Sequence, residues 1–147
     1  MTRILVPMDF SRDASLALRW AAALATSLKA KVSVLHVIDL TQITMAIGHH
    51  DLTSARVIDG VFKRVRADAE ANMARAARRY PRARTVIREG NPRAVILDTA
   101  KRERADLIVM GTHGRTGLAR LLFGSVAEHV VRHSPVPVLT VRQQKRS

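Results

Sequence analysis

Short apolar runs alternate with helical patterns along the whole chain, and this alternation limits the fold more than any other feature. Arg3 to Met8 is an apolar run closed by Pro7 and Asp9, and reads as a buried strand. Leu16, Ala17, Trp20, Ala21, Leu24, Ala25 and Leu28 then recur at helical spacing, with Ser11 or Asp9 as the cap. Lys31 to Ile38 carries the β-branched Val32, Val34 and Val37 and reads as a second strand. Leu40 to about Thr53 has no clean period, contains Gly48, His49 and His50, and is expected to be a mobile loop. Val57, Val61, Val65, Ala69, Met73, Ala76 and Tyr80 predict a long amphipathic helix ended by Pro81. Thr85 to Arg88 reads as a third strand. Gly90-Asn91-Pro92 opens another helix with proline in its first turn, and Val95, Ile96, Thr99 and Ala100 form its inward face. Asp106 to Met110 is a fourth strand, followed by a loop from Gly111 to Phe123. A last helix begins near Ser125, and Val136 to Val141 is a fifth strand.

The order β-α-β-α-β-α-β-α-β predicts an α/β fold with a parallel sheet and helices on both faces. Right-handed crossovers restrict it to a doubly wound sheet. The form expected is Rossmann-like, with five strands in the order 3-2-1-4-5. The 147 residues fit one domain, and 47% apolar residues supply its core. No repeat or linker interrupts 1–147; only the polar tail 142–147 is expected to fray. The absence of cysteine excludes disulfides, cysteine nucleophiles and thiolate zinc sites. No apolar run approaches the roughly 20 residues of a membrane helix. The N-terminus lacks the longer apolar stretch and cleavage site of a signal peptide. The expectation is a soluble, cytoplasmic protein with no membrane partner.

Lys plus Arg number 25 and Asp plus Glu 12, a net charge of +13. Such a balance raises the question of a polyanionic partner such as nucleic acid. Aromatic residues are only 3%, so stacking platforms for single strands are scarce, and basic charge alone is weak support. Lys63, Arg64, Arg66, Arg75 and Arg78 on the long helix are most simply a solvated face. The alternative is a charge-driven interaction protein whose basic helix binds nucleic acid or an acidic partner.

In open α/β sheets ligands bind beyond the carboxyl ends of strands, where the strand order reverses. Two loops leave such ends here: Pro7-Met8-Asp9-Phe10-Ser11, and Gly111-Thr112-His113-Gly114-Arg115-Thr116-Gly117. Glycines let backbone approach a bulky anion, and consecutive amides form an anion-binding concavity. Gly124-Ser125 then opens a helix whose first amides are unpaired. Taken singly, these residues have plain structural roles: turn glycines, and a Ser125-Val126-Ala127-Glu128 capping box. Together they point to a phosphate site. Neither a P-loop nor a Gly-x-Gly-x-x-Gly fingerprint is present, which argues against a standard NTPase or a dinucleotide dehydrogenase. Asp9 is a candidate acceptor for a ribose hydroxyl, or a cap for the first helix.

Gly111-x2-Gly114-x9-Gly124-Ser125 resembles the ATP-binding signature of the universal stress protein family. Ile4-Leu5-Val6-Pro7-Met8-Asp9-Phe10-Ser11, Leu35-His36-Val37-Ile38-Asp39 and Ser134-Pro135-Val136-Pro137-Val138-Leu139 resemble it too, so the likeness spans nearly the whole chain. The resemblance implies an ATP-binding regulatory protein of the stress response with an unknown protein partner. ATP hydrolysis or autophosphorylation would be slow at most, and no catalytic residue is named. Gly111, Gly114, Gly124 and Ser125 match positions lining the triphosphate. Asp9 matches the acid near ribose and adenine, with Pro7 beside it, and Val37 matches the residue whose backbone meets adenine. Met8 stands where relatives often carry a hydroxyl or small residue. Met110, His113, Arg115 and Val126 complete the candidate set, and Mg2+ or Mn2+ would accompany the triphosphate.

His129 and His133 lie four apart, a metal-capable spacing, but no third ligand is evident. Pro137 cannot donate a ladder hydrogen bond, so the fifth strand is expected at a sheet edge. Its apolar sequence invites pairing with another chain, and the resemblance implies a homodimer through residues 136–141.

Overall fold

A computed structural model describes residues 3–47, 55–114 and 123–144. The elements in chain order are β1 (Arg3–Pro7), α1 (Arg12–Leu28), β2 (Lys31–Asp39), α2 (Leu40–Ile47), α3 (Ala55–Arg79), β3 (Ala83–Gly90), α4 (Pro92–Arg102), β4 (Leu107–Gly111), α5 (Ser125–His133) and β5 (Val138–Val141). The five strands form one parallel sheet in the expected order β3-β2-β1-β4-β5.

Alternate strand residues serve two cores. Ile4, Val6, Val32, Val34 and Val109 face one side, where Ala14, Ala17, Leu18 and Ala21 of α1 and Met73 of α3 cover them. Leu5, Leu35, Ile108 and Met110 face the other, under Ile96 and Ala100 of α4 and Ala127 and Val130 of α5. A strand buried on both faces must be apolar at every position, which is why the strands read as continuous runs rather than alternating ones.

The inward stripe of α1 differs from the expected one. Its buried apolar residues are Ala14, Ala17, Leu18 and Ala21, while Trp20 is 54% and Leu28 44% exposed. Small side chains let the helix lie close on the sheet, the expected Leu16, Leu24 and Ala25 pack at its margin, and Trp20 and Leu28 turn outward. Ser11 is the cap, accepting from the Ala14 amide.

The stretch expected to be a loop is helical where it is described. Leu40–Ile47 forms α2, and Asp39 starts it by accepting from the amides of Thr41 and Gln42. This Asx cap satisfies orphan donors in a segment too short to show a period. Residues 48–54 lie outside those described. On α3, Ala69 and Met73 are buried, and the basic face carries the surface pairs Lys63–Asp59 and Arg66–Glu70. Asn91 caps α4 with Pro92 in its first turn, as read from the sequence. The third and fifth strands cover Ala83–Gly90 and Val138–Val141, and β5 is an edge. Among the described residues no helix is long and apolar enough to cross a membrane.

Candidate functional site

The strand order reverses between β1 and β4, which pair with Ile4 beside Leu107 and Leu5 beside Ile108. Their carboxyl ends therefore open side by side, and the two candidate loops leave from there.

The first loop is held by its own backbone. The Met8 amide donates to the Leu35 carbonyl at 2.8 Å, and the Met8 carbonyl lies 2.6 Å from His36 Nδ1. A carbonyl only accepts, so this ring nitrogen carries the proton. The Met8 side chain is buried in the core, so its contribution to a ligand would come from backbone. Phe10 takes φ 65° and lays its ring 4.5 Å from that of His36. Asp9 Oδ1 accepts from the Ser11 amide at 2.9 Å. Pro7 ends β1, and the partly buried Val37 stands on the neighbouring β2.

The second loop begins with Gly111, which has a packing role. A Cβ there would stand 2.7 Å from Asp13 Cβ and 2.8 Å from the Ala14 amide nitrogen, so glycine allows β4 to meet the start of α1. Met110 before it is buried in the second core. Thr112 is buried and reaches back to the edge strand, its amide donating to the Val141 carbonyl. Its own carbonyl accepts from the Gly124 amide at 2.7 Å, which draws the start of α5 over the end of β4. A Cβ on Gly124 would crowd that carbonyl at 3.3 Å, and one on Gly114 would lie 3.0 Å from Asp9 Oδ2. The glycines thus bring Asp9, Gly114 and the start of α5 to one place.

Gly124 is the N-cap of α5, and among the described residues no side chain caps the helix. The expected Ser125–Glu128 capping box is therefore absent. Ser125 is one residue too far along to reach back, and Glu128 pairs with Arg132 at 3.1 Å instead. Among the described residues no partner takes the first amides of α5, and exposed Ser125 stands beside them with partly buried Val126 following. Arg115 lies outside the described residues.

Sequence reasoning passed over Asp13. Its carboxylate is buried in the first turn of α1, where Oδ2 accepts from Thr112 Oγ1 at 3.1 Å and from the His113 amide at 3.3 Å. His113 Nδ1 stands 3.4 Å from the same oxygen and 2.9 Å from Thr112 Oγ1. Oδ1 accepts from the Gln143 amide at 3.0 Å, so the tail expected to fray is anchored at its start. The one local signal was a first-turn acid, which any helix favours.

His129 and His133 stack at 4.3 Å, and His133 Nδ1 lies 2.9 Å from the His129 carbonyl. Desolvation and then the charges of His133, Arg93 and Arg132 hold His129 below its ordinary pKa. Among the described residues no three His, Cys, Asp or Glu are grouped to hold a metal.

The profile of the universal stress protein family matches residues 1–142. Universal stress protein MJ0531 of Methanocaldococcus jannaschii is 33% identical over 145 residues, covering 98% of this chain and 84% of that relative. The solved structure of MJ0577, from the same organism, is 30% identical and superposes with a TM-score of 0.84 over 99% of this chain and 98% of that one. Two more distant structures share the fold at 22% and 21% identity, with TM-scores of 0.62 and 0.64: a universal stress protein in complex with cAMP, and an Arabidopsis thaliana family protein with AMP bound. They cover 97% and 98% of this chain, and 98% and 93% of their own. With the family profile and full-length relatives in agreement, this chain belongs to the universal stress protein family.

Proposed function

We propose that this protein is a nucleotide-dependent regulatory protein that binds ATP between the β1–α1 loop and the β4–α5 loop. The observation that carries the reading is the convergence of the Asp9 carboxylate, Gly114 and the uncapped start of α5 at Gly124-Ser125. In this reading the amides of His113, Gly114, Ser125 and Val126 face phosphate oxygens, and the Ser125 hydroxyl adds a donor. Asp9 accepts from a ribose hydroxyl. Pro7, Met8 and Val37 meet the base through backbone, above Met110 and Gly111. Arg115 offsets phosphate charge. A divalent ion, Mg2+ or Mn2+, would enter with the triphosphate, whose oxygens would be its main ligands.

The cAMP- and AMP-bound structures are likenesses of fold, so the case rests on this chain's own loops. Two copies would pair along the edge strand β5, where Leu139 is exposed. A protein partner would then read the nucleotide state.

Mass spectrometry of small molecules released from the purified protein tests the reading. ATP or its hydrolysis product should be found in the released fraction or taken up on incubation. Protein that neither carries nor takes up an adenine nucleotide, but binds nucleic acid in a salt-sensitive way, would transfer the function to the basic surface.

A further inference from the structure

We propose that Asp13 is a positioning residue that holds the His113 loop ready for the triphosphate and couples that loop to the segment leaving β5; this rests on the nucleotide reading above. A first-turn acid that only complements a helix dipole can stay in solvent. Asp13 is instead 9% exposed, and a buried carboxylate is costly unless its oxygens are satisfied. Its three donors come from residues 99, 100 and 130 positions away: the Thr112 hydroxyl, the His113 amide and the Gln143 amide. Gly111 makes the arrangement possible, because a Cβ there would strike Asp13 Cβ.

The bonds have unequal consequences. Those to Thr112 and His113 orient the backbone just before Gly114, which faces Asp9 across the cleft. The bond to Gln143 belongs to a residue two positions beyond β5. One rigid carboxylate therefore makes the order of the phosphate loop and of the outgoing chain a shared property. Coupling of this kind is reciprocal: whatever orders one end favours the other. Nucleotide in the cleft should protect the Gln143 amide, and loss of the Gln143 bond should weaken nucleotide binding without touching the site.

Calorimetric titration with ATP and with adenosine tests this on the full-length protein, its Asp13→Asn variant and its Gln143→Pro variant. Asparagine keeps the shape but cannot accept from all three donors, and proline deletes the Gln143 N–H alone. Asp13→Asn should raise the ATP Kd by about tenfold, as expected for a lost hydrogen bond to a charged acceptor, while adenosine changes by less than about twofold. Gln143→Pro should weaken ATP in the same direction by a smaller factor. Hydrogen exchange should show the His113 and Gln143 amides of Asp13→Asn opening faster while sheet amides are unchanged. If Asp13→Asn does not fold, Thr112→Val removes one donor and should shift the same ATP-to-adenosine ratio. Equal weakening of both ligands, or of neither, overturns the positioning role, and unchanged ATP affinity in Gln143→Pro overturns the coupling. A wild-type protein that binds neither ligand overturns the nucleotide reading itself.

Discussion

The two ends of the sheet differ in a way that volume alone would misread. At the amino end, a half-open hollow of about 580 Å³ lies between the C-terminal turns of α1 and α3, floored by Leu18, Ala22, Ala25 and Val32 and edged by Lys29, Arg79 and Arg82. It is mostly apolar, and Arg79 at its edge lies 5.9 Å from the Tyr80 ring centre. Cations there complement the negative ends of two helices and need no ligand to explain them. At the carboxyl end the chemistry converges instead: a carboxylate beside Gly114, a helix start with no side-chain cap among the described residues, and Asp13 locking the loop from behind. Convergent polar groups at a strand-order reversal mark a site more reliably than an empty hollow.

The contrast can be broken hardest at Gly111. Gly111→Ala places a methyl against the α1 backbone, and overpacking of this kind costs about 1–3 kcal/mol. Each kcal/mol lowers the melting temperature by about 2–4 °C for a domain of this size. A thermal melt equal to wild type would show that β4 and α1 are not so closely apposed.

A smaller effect separates capping from ligand binding at Ser125. Because Gly124 holds the cap position, Ser125→Ala should change stability without nucleotide by no more than about 0.5 kcal/mol. With ATP present it should lose about 1 kcal/mol, one hydrogen bond. Equal losses in paired melts with and without ATP would return the serine to a structural role.

The smallest effect is expected at the opposite end. Ala25→Leu, into the hollow, should leave ATP affinity unchanged and shift stability by less than about 0.5 kcal/mol. A titration showing weakened ATP binding would mean that the apolar end takes part in function.

Legibility in the sequence followed the range of the forces involved. The parallel, doubly wound sheet could be read because apolar runs and right-handed crossovers are local regularities that leave few topologies. The last strand is an edge as expected, although Pro137, which suggested it, stands just before β5 rather than in its ladder. Helix α2 was not, because a single side chain, that of Asp39, starts it rather than a repeat. Trp20 misled the reading of α1, since helical spacing gives a period but not which side of it can approach a sheet. The glycines around the site were visible, but not their division of labour: Gly111 makes room for Asp13, while Gly114 opens toward Asp9. Asp13 was hidden because its donors arrive from the far end of the chain.

ATP binding at the carboxyl end of the sheet is tested by a thermal melt of wild type and Gly114→Val with and without ATP. Ligand bound only to the folded state at a hundred times its Kd adds roughly 2.7 kcal/mol. Wild type should therefore gain about 5–10 °C. Valine at position 114 would push against Asp9 Oδ2, already 3.0 Å from where a Cβ would stand, and close the approach to the phosphates. That variant should remain folded and show no ATP-induced gain. A wild type unmoved by ATP, ADP or AMP at millimolar levels, or a Gly114→Val protein that gains as much as wild type, would contradict the claim.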